Sequence, residues 1–340
     1  ILLLSGMLAT ALCLTGFHLF RQSVNRPWGT PGTVTVDIPP GTSVKGIAQR
    51  LQSEGIISSA VLFRVHHALQ RPRPPLKSGE YAFQLPMRMD TVYRLLQEGR
   101  VVLHRLTLTE GLNIWESIDE MHRQLQIPRS ELEQAVRNTG RIRDLDPKAE
   151  DLEGYLFPDT YQVARSMNAS AIVDMLVEHF REHFTDTFRW KARELGLSIR
   201  EAVTLASLIE KETALREERF LISSVFHNRL KTGMSLGCDP TVIYALLRDG
   251  LWQGKLGWKD LKYPSPYNTR VSRGLPPGPI CSPGMASLEA ALNPESSEYL
   301  YFVAKDNRSH HFSRTLNEHN RAVKKFIIDR PDRSGKAISP

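Results

Sequence analysis

The chain has 340 residues, 41% of them hydrophobic and 24% charged, with a formal net charge of +7 and a sequence pI near 9.3. That is length enough for two domains with cores of their own, and the composition excludes wholesale disorder. The positive charge favours anionic surroundings, but it is spread thinly, with no dense Lys/Arg block and no basic stripe interleaved with aromatics, so no nucleic-acid partner is expected.

Residues 1–20 carry no Asp, Glu, Lys or Arg. A run of about 20 such residues suffices to span a bilayer as a helix. Arg21 and Arg26 end it, and Trp28 suits an interface. No A-x-A-type cleavage site follows, so a retained anchor is expected rather than a cleaved signal peptide. Leu12 before Cys13 does not fit a lipoprotein. The arginines after the run would by themselves place the body on the cytoplasmic side; orientation is therefore taken from function, below. Residues 21–32, with Pro27, Pro31 and two glycines, read as a linker.

A small α+β module is expected over residues 33–104. Thr33-Val-Thr-Val-Asp-Ile38 alternates with period two and predicts a strand. Pro39-Pro40-Gly41 turns the chain, and Thr42 or Ser43 caps a helix that puts Val44, Ile47, Ala48 and Leu51 on one face. Gly55 stops it. A second helix runs from about Ala60 to Gln70, a strand returns through Tyr81-Ala-Phe83, and a short helix opened by Asp90 and Thr91 closes at Gly99. The order strand, helix, helix, strand resembles a LysM-like glycan-binding module; a generic packing domain fits the pattern equally well.

A larger α+β domain is expected over 105–330. Val101 to Leu108 predicts a strand, and Thr109-Glu-Gly111 leads into a helix carrying Ile114, Ile118 and Met121. Gly154-Tyr-Leu-Phe-Pro-Asp-Thr-Tyr161 is an aromatic loop. One long helical stretch is expected from about Ala169 to Leu195, and residues 331–340 read as a loose tail. Of the three cysteines, Cys13 lies in the apolar run, and Cys238 and Cys281 are left as a pair that an oxidising compartment could join. None forms a C-x-x-C, so neither a zinc site nor a thioredoxin-type site is indicated.

Ser198-Ile-Arg-Glu201 is a capping box. In the helix that follows, Val203, Ala206, Ser207, Glu210 and Thr213 share a face, while Leu205, Leu208 and Ile209 face the core. Glu210 is either solvated near the helix end beside Lys211 or set in a cleft among apolar neighbours. In the second case desolvation favours its protonated form, the form that glycosidic cleavage needs.

Leu205-Ala-Ser-Leu-Ile-Glu210-Lys-Glu-Thr213 resembles the active-site helix of the YceG-like (MltG) family of endolytic murein transglycosylases. Glu153-Gly-Tyr-Leu-Phe-Pro-Asp-Thr-Tyr161, Val225-Phe-His-Asn-Arg229-Leu, Asp239-Pro-Thr-Val-Ile-Tyr244, Tyr267-Asn-Thr269, Gly274-Leu-Pro-Pro-Gly278, Ser282-Pro-Gly284, Tyr299-Leu-Tyr-Phe302 and His319-Asn320 follow the family pattern in order. Gly237-Cys238 departs from it, since a polar pair usually precedes the residue at Asp239.

The resemblance implies a peptidoglycan lytic transglycosylase with Glu210 as its acid/base, cutting the MurNAc–GlcNAc β-1,4 bond and leaving a 1,6-anhydro end. It also implies a body on the outer side of the cytoplasmic membrane, working beside peptidoglycan synthases. Asp239, Thr241, Tyr267, Asn268 and Thr269 are candidates for gripping the glycan, with turns and caps as their other reading. Glu153, Asp159 and Tyr161 either reach the site or brace their loop. No cofactor is expected. His310 and His311 stand side by side, but no other ligand spacing accompanies them, so no metal is expected either.

Two rivals have their own signatures. Gly233-Met-Ser235-Leu-Gly237 fits the G-x-S-x-G nucleophile elbow, which needs a strand before the serine and a helix after it. A tethered glycan-binding scaffold would keep the cleft without cutting.

Overall fold

The computed structural model describes residues 2–73, 75–213, 215–306 and 309–329; of residues 2–11 and 13 it describes the backbone alone. The chain forms two compact units, residues 1–105 with 162–168, and residues 106–161 with 169–340. The architecture is mixed α+β.

In the first unit, Leu2–Asn25 (α1) is one helix. The anchor expected over 1–20 falls largely on side chains outside the described residues. Among the described residues no helix is long and apolar enough to cross a membrane. The expected linker, 21–32, is instead structured: α1 continues to Asn25, where Val24 is buried in the unit's core, and Trp28–Ile38 (β1) begins almost at once. Pro31 and Gly32 fall at an irregularity of β1, between the pairings of Trp28 and Gly32, where the ladder tolerates a missing N–H donor.

β1 pairs antiparallel with Gly79–Met87 (β2), Val34 opposite Phe83 and Val36 opposite Tyr81. Period-two alternation buries Val36, Ile38, Tyr81, Phe83 and Leu85 on one face. Between the strands lie Val44–Ser53 (α2), capped by Ser43, whose Oγ accepts from the Gly46 N–H, and Ala60–Leu69 (α3). Met89–Glu98 (α4) ends at Gly99, which takes the left-handed conformation (φ 72°) that a side chain would resist. Ala48, Leu51, Phe63, Phe83 and Leu96, all 0% exposed, anchor the core. Leu103–Thr107 (β3) and Thr160–Ala164 (β4) pair with each other, and the chain passes between the units along them.

The second unit contains Ile114–Leu125 (α5), Arg129–Val136 (α6), Ala169–His183 (α7), Asp186–Glu194 (α8), Ile199–Glu212 (α9), Arg219–Thr232 (α10), Asp239–Arg248 (α11) and Met285–Leu292 (α12). The antiparallel pair Tyr301–Ala304 (β5) and His310–Ser313 (β6) follows, and then Leu316–Val323 (α13). The single helix expected over 169–195 is two. The chain leaves helical geometry at Thr185 (ψ 170°), which with Asp186 behind it forms the start of α8, while Phe184 stays fully buried. The tail over 331–340 lies outside the described residues.

The loop around 153–161 is braced internally. Glu153, 4% exposed, accepts at Oε2 from the Ile114 N–H (3.0 Å) and the Tyr244 hydroxyl (3.1 Å), and its Oε1 meets no partner among the described residues. Tyr161 donates to the Phe157 carbonyl (2.6 Å), and Asp159 holds its own loop through the Thr160 N–H. Burial pushes the Glu153 carboxyl up to about 8. A folded value above the unfolded one means that the native state binds the extra proton between the two. This contribution to stability is full below about pH 4.5 and is lost as pH rises through about 8, by up to about 1.4 kcal/mol per pH unit. Glu153→Gln should therefore gain stability relative to the parent as pH rises, measured by urea unfolding at about pH 5 and about pH 8. An identical pH dependence in both proteins would disprove it.

Candidate active site

α9 positions the central carboxylate. Its first turn is closed by the reciprocal capping box of Ser198 and Glu201. From Ala202 to Ile209 every residue is buried, Thr204 and Ser207 included, with α8, α10, α11 and α12 packed around it. The helix is thus enclosed on all sides, not divided into a cleft face and a core face as the spacing predicted. It emerges only at Glu210, whose side chain, 6% exposed, borders a cleft of about 900 Å³. The neighbours of the carboxylate are not apolar, as expected, but polar. Oε1 accepts from Arg219 Nη2 (2.9 Å) and Oε2 from the Gly284 backbone N–H (2.9 Å).

Two loops meet beside this group. Gly111 N–H donates to the Ser282 carbonyl (2.9 Å) and Ser282 N–H to the Leu112 carbonyl (2.8 Å), so 111–112 and 282 run as a short ladder. Lys211 Nζ reaches the Gly111 carbonyl (3.1 Å). A Cβ at Gly284 would lie 1.9 Å from Glu110 Oε1, so the absence of a side chain there lets Glu110 lie against the backbone that holds Glu210.

Glu110 and Arg219 were not singled out from the sequence, where Thr109-Glu-Gly111 read only as a turn. Arg219 Nη2 lies 3.9 Å from Glu110 Oε2, so one guanidinium faces two carboxylates. Burial, then the charge of Glu210, pushes the Glu110 carboxyl up, against the pull of Arg219 and Arg216. Arg219 opens α10, where the helix dipole disfavours a cation, and it is 7% exposed. Helix stability does not explain an arginine there; the carboxylates do. That misfit was the available signal. Glu212 lines the same cleft, its carboxyl pushed up by burial.

The five residues expected to grip a glycan do not line this cleft. Asn268, 0% exposed, donates to the Leu261 (3.2 Å) and Tyr263 (2.9 Å) carbonyls and accepts from the Arg270 N–H. Thr241 donates to the Cys238 carbonyl (2.6 Å), and Thr269 Oγ1 accepts from the Cys238 N–H (3.0 Å). Their polar atoms are committed to bracing, because a buried loop must satisfy its backbone groups internally. Asp239 pairs with Arg270 at the start of α11. Tyr267 lines a separate cavity of about 60 Å³ with Tyr244 and Trp115.

At the departure from the family pattern, Gly237 is left-handed (φ 64°) and Cys238 is buried. Cys238 and Cys281 are free thiols. Ser235 follows the end of helix α10, not a strand, so the elbow geometry is absent. His310 and His311 are neighbours on β6 and point to opposite faces, and His310 is taken up by Glu218 (2.6 Å).

A family model described as the YceG-like family matches residues 36–325. A Bacillus subtilis protein named endolytic murein transglycosylase is 31% identical over 95% of this chain and 93% of its own length. A Streptococcus pneumoniae protein of the same name is 30% identical over 86% of this chain, which spans 58% of that relative. A crystal structure of a yceG-like protein from Listeria monocytogenes aligns with a TM-score of 0.59 at 33% identity, covering 85% of this chain and 98% of that one. The chain belongs to the YceG-like family.

Proposed function

We propose that the chain is an endolytic peptidoglycan lytic transglycosylase with Glu210 as its acid/base. The relatives' shared name supports the activity, and the observation that carries the assignment is the Glu210 carboxylate. It is presented to a cleft by an enclosed helix and held by a guanidinium and a backbone N–H. The cleft's volume falls within the range of ligand sites.

Protonated Glu210 gives its proton to the glycosidic oxygen as the C1–O4 bond between MurNAc and GlcNAc breaks, and the ring passes through an oxocarbenium-like state. The resulting carboxylate takes the proton of the sugar's own C6 hydroxyl, whose oxygen bonds to C1. The products are a 1,6-anhydro end and a regenerated acid. The tethered hydroxyl outcompetes dilute water, so no second carboxylate is needed to activate a nucleophile. The second carboxylate has another role in this reading. Glu110, across the same guanidinium, is placed to supply Glu210 with a proton. Moving one proton from Glu110 to Glu210 while Arg219 shifts its Nη2 to Glu110 leaves the trio's net charge unaltered and arms the acid.

The first unit serves as a LysM-like glycan-binding module, supported by its β–α–α–β order. The uncharged run over 1–20 anchors the chain in the cytoplasmic membrane with the body on the outer side, beside peptidoglycan synthases. Cell fractionation should find the protein in the membrane fraction; recovery in the soluble fraction would remove the anchor from this reading.

Incubation with purified glycan strands should release anhydro-ended fragments, read by mass spectrometry. Reducing ends would mean a hydrolase, and intact strands a scaffold. Glu210→Gln should keep binding and lose cleavage by about 10²-fold or more. In Glu110→Gln the alkaline limb of the activity profile should move to lower pH, with Glu110→Asp intermediate. A profile unmoved in Glu110→Gln would remove its role as proton partner.

A further inference from the structure

We infer that His179, Glu182 and His183 on α7 form a zinc-binding site, with Asp159 as its outer support. The stretch His179-Phe-Arg-Glu182-His183 has the His-x-x-Glu-His spacing of zinc-binding helices, in which the two histidines are ligands; Glu182 is offered here as a third. Positions three and four apart share one helix face. One ligand atom from each of the three lies within 4.8 Å of the others.

The hydrogen bonds around the rings are those a metal needs. A ligating imidazole offers one nitrogen to the ion and donates from the other to a carbonyl or carboxylate, which fixes its tautomer. His183 Nδ1 donates to the His179 carbonyl (2.8 Å), so Nε2 is the nitrogen this ring can offer to an ion. His179 Nε2 lies 2.8 Å from Asp159 Oδ2, leaving Nδ1 facing Glu182 Oε2 at 3.1 Å. The rings are also held in place: His183 stacks on Phe157 at 4.4 Å, and His179 meets Phe157 and Tyr161 edge-on at 5.3 Å each. Two imidazoles and one carboxylate suit zinc better than magnesium or calcium, and Glu182, 63% exposed, leaves the fourth position to solvent.

The site touches the cleft wall. Asp159 lines the cleft, and its carbonyl accepts from the Leu108 N–H (3.0 Å). A bound ion would fix Asp159 through His179 and stiffen that wall, whatever reaction the cleft performs.

The test uses the full chain without a polyhistidine tag, stripped by chelator and titrated with Zn(II) in competition with a chromophoric chelator. One ion per chain is expected. His183→Gln and Glu182→Gln should each weaken binding by at least about 10-fold, and Asp159→Asn by about 10-fold. His311→Gln should leave it unchanged. Co(II) should give the visible absorption of a tetrahedral N/O site. Circular dichroism checks folding; the exposed Glu182 gives a variant that leaves the ring packing untouched. Absence of binding in the parent, or binding that Glu182→Gln and His183→Gln leave unaltered, overturns the inference. An alternative in which His179 is an imidazolium clamped by Asp159 and Glu182 predicts that absence.

Discussion

A carboxylate can sit at 6% exposure on the end of an enclosed helix only if something compensates its charge, and in this protein the compensation comes from Arg219 and the Gly284 N–H. Removing water from an ion costs several kcal/mol, roughly, unless hydrogen bonds and an opposite charge replace it. Much of the surrounding structure follows from that requirement. Arg219 stands where a helix would rather not have it, Gly284 has no side chain, and the 111–112 and 282 ladder brings the donor into range. The helix itself is locked by burial from Ala202 to Ile209, so the carboxylate is presented by a rigid element rather than by a loop.

The motif residues outside that centre divide the labour differently from what their chemistry alone suggested. Asn268, Thr241 and Thr269 are rich in hydrogen-bonding groups, and such groups serve equally for a sugar hydroxyl or for a neighbouring carbonyl. Here the carbonyls take them. Asn228 and Arg229 behave likewise, donating to the carbonyls of Ser297, Tyr299 and Leu300. These side chains hold long loops against the helices, and the loops in turn frame the unit that carries the cleft.

What was legible in the sequence was local. The capping box at Ser198 and Glu201, the alternation in β1 and β2, and the stop at Gly99 each rest on residues adjacent in the chain, and each is found. Glu210 stood out as the one carboxylate on an otherwise small, apolar helix face, and the resemblance of residues 205–213 to a family's active-site helix decided its reading. The end of α7 at His183 was missed because apolar spacing persists through Phe184 and Phe188, across the break at Thr185. Glu110 could not be seen beside Glu210, since the two are brought together only by the tertiary fold. The polar surroundings of Glu210 were hidden for the same reason: apolar neighbours along the helix say nothing of an arginine arriving from the next one.

The two backbone bonds between Gly111, Leu112 and Ser282 join segments far apart in the chain. Such long-range closure is entropically slow and comes after local helices have formed. A nascent chain that has not yet delivered Gly284 lacks the backbone donor to Glu210 Oε2 and leaves the carboxylate to Arg219 alone. The backbone support of Glu210 is therefore put in place only once synthesis has passed residue 284, after every residue that lines the cleft.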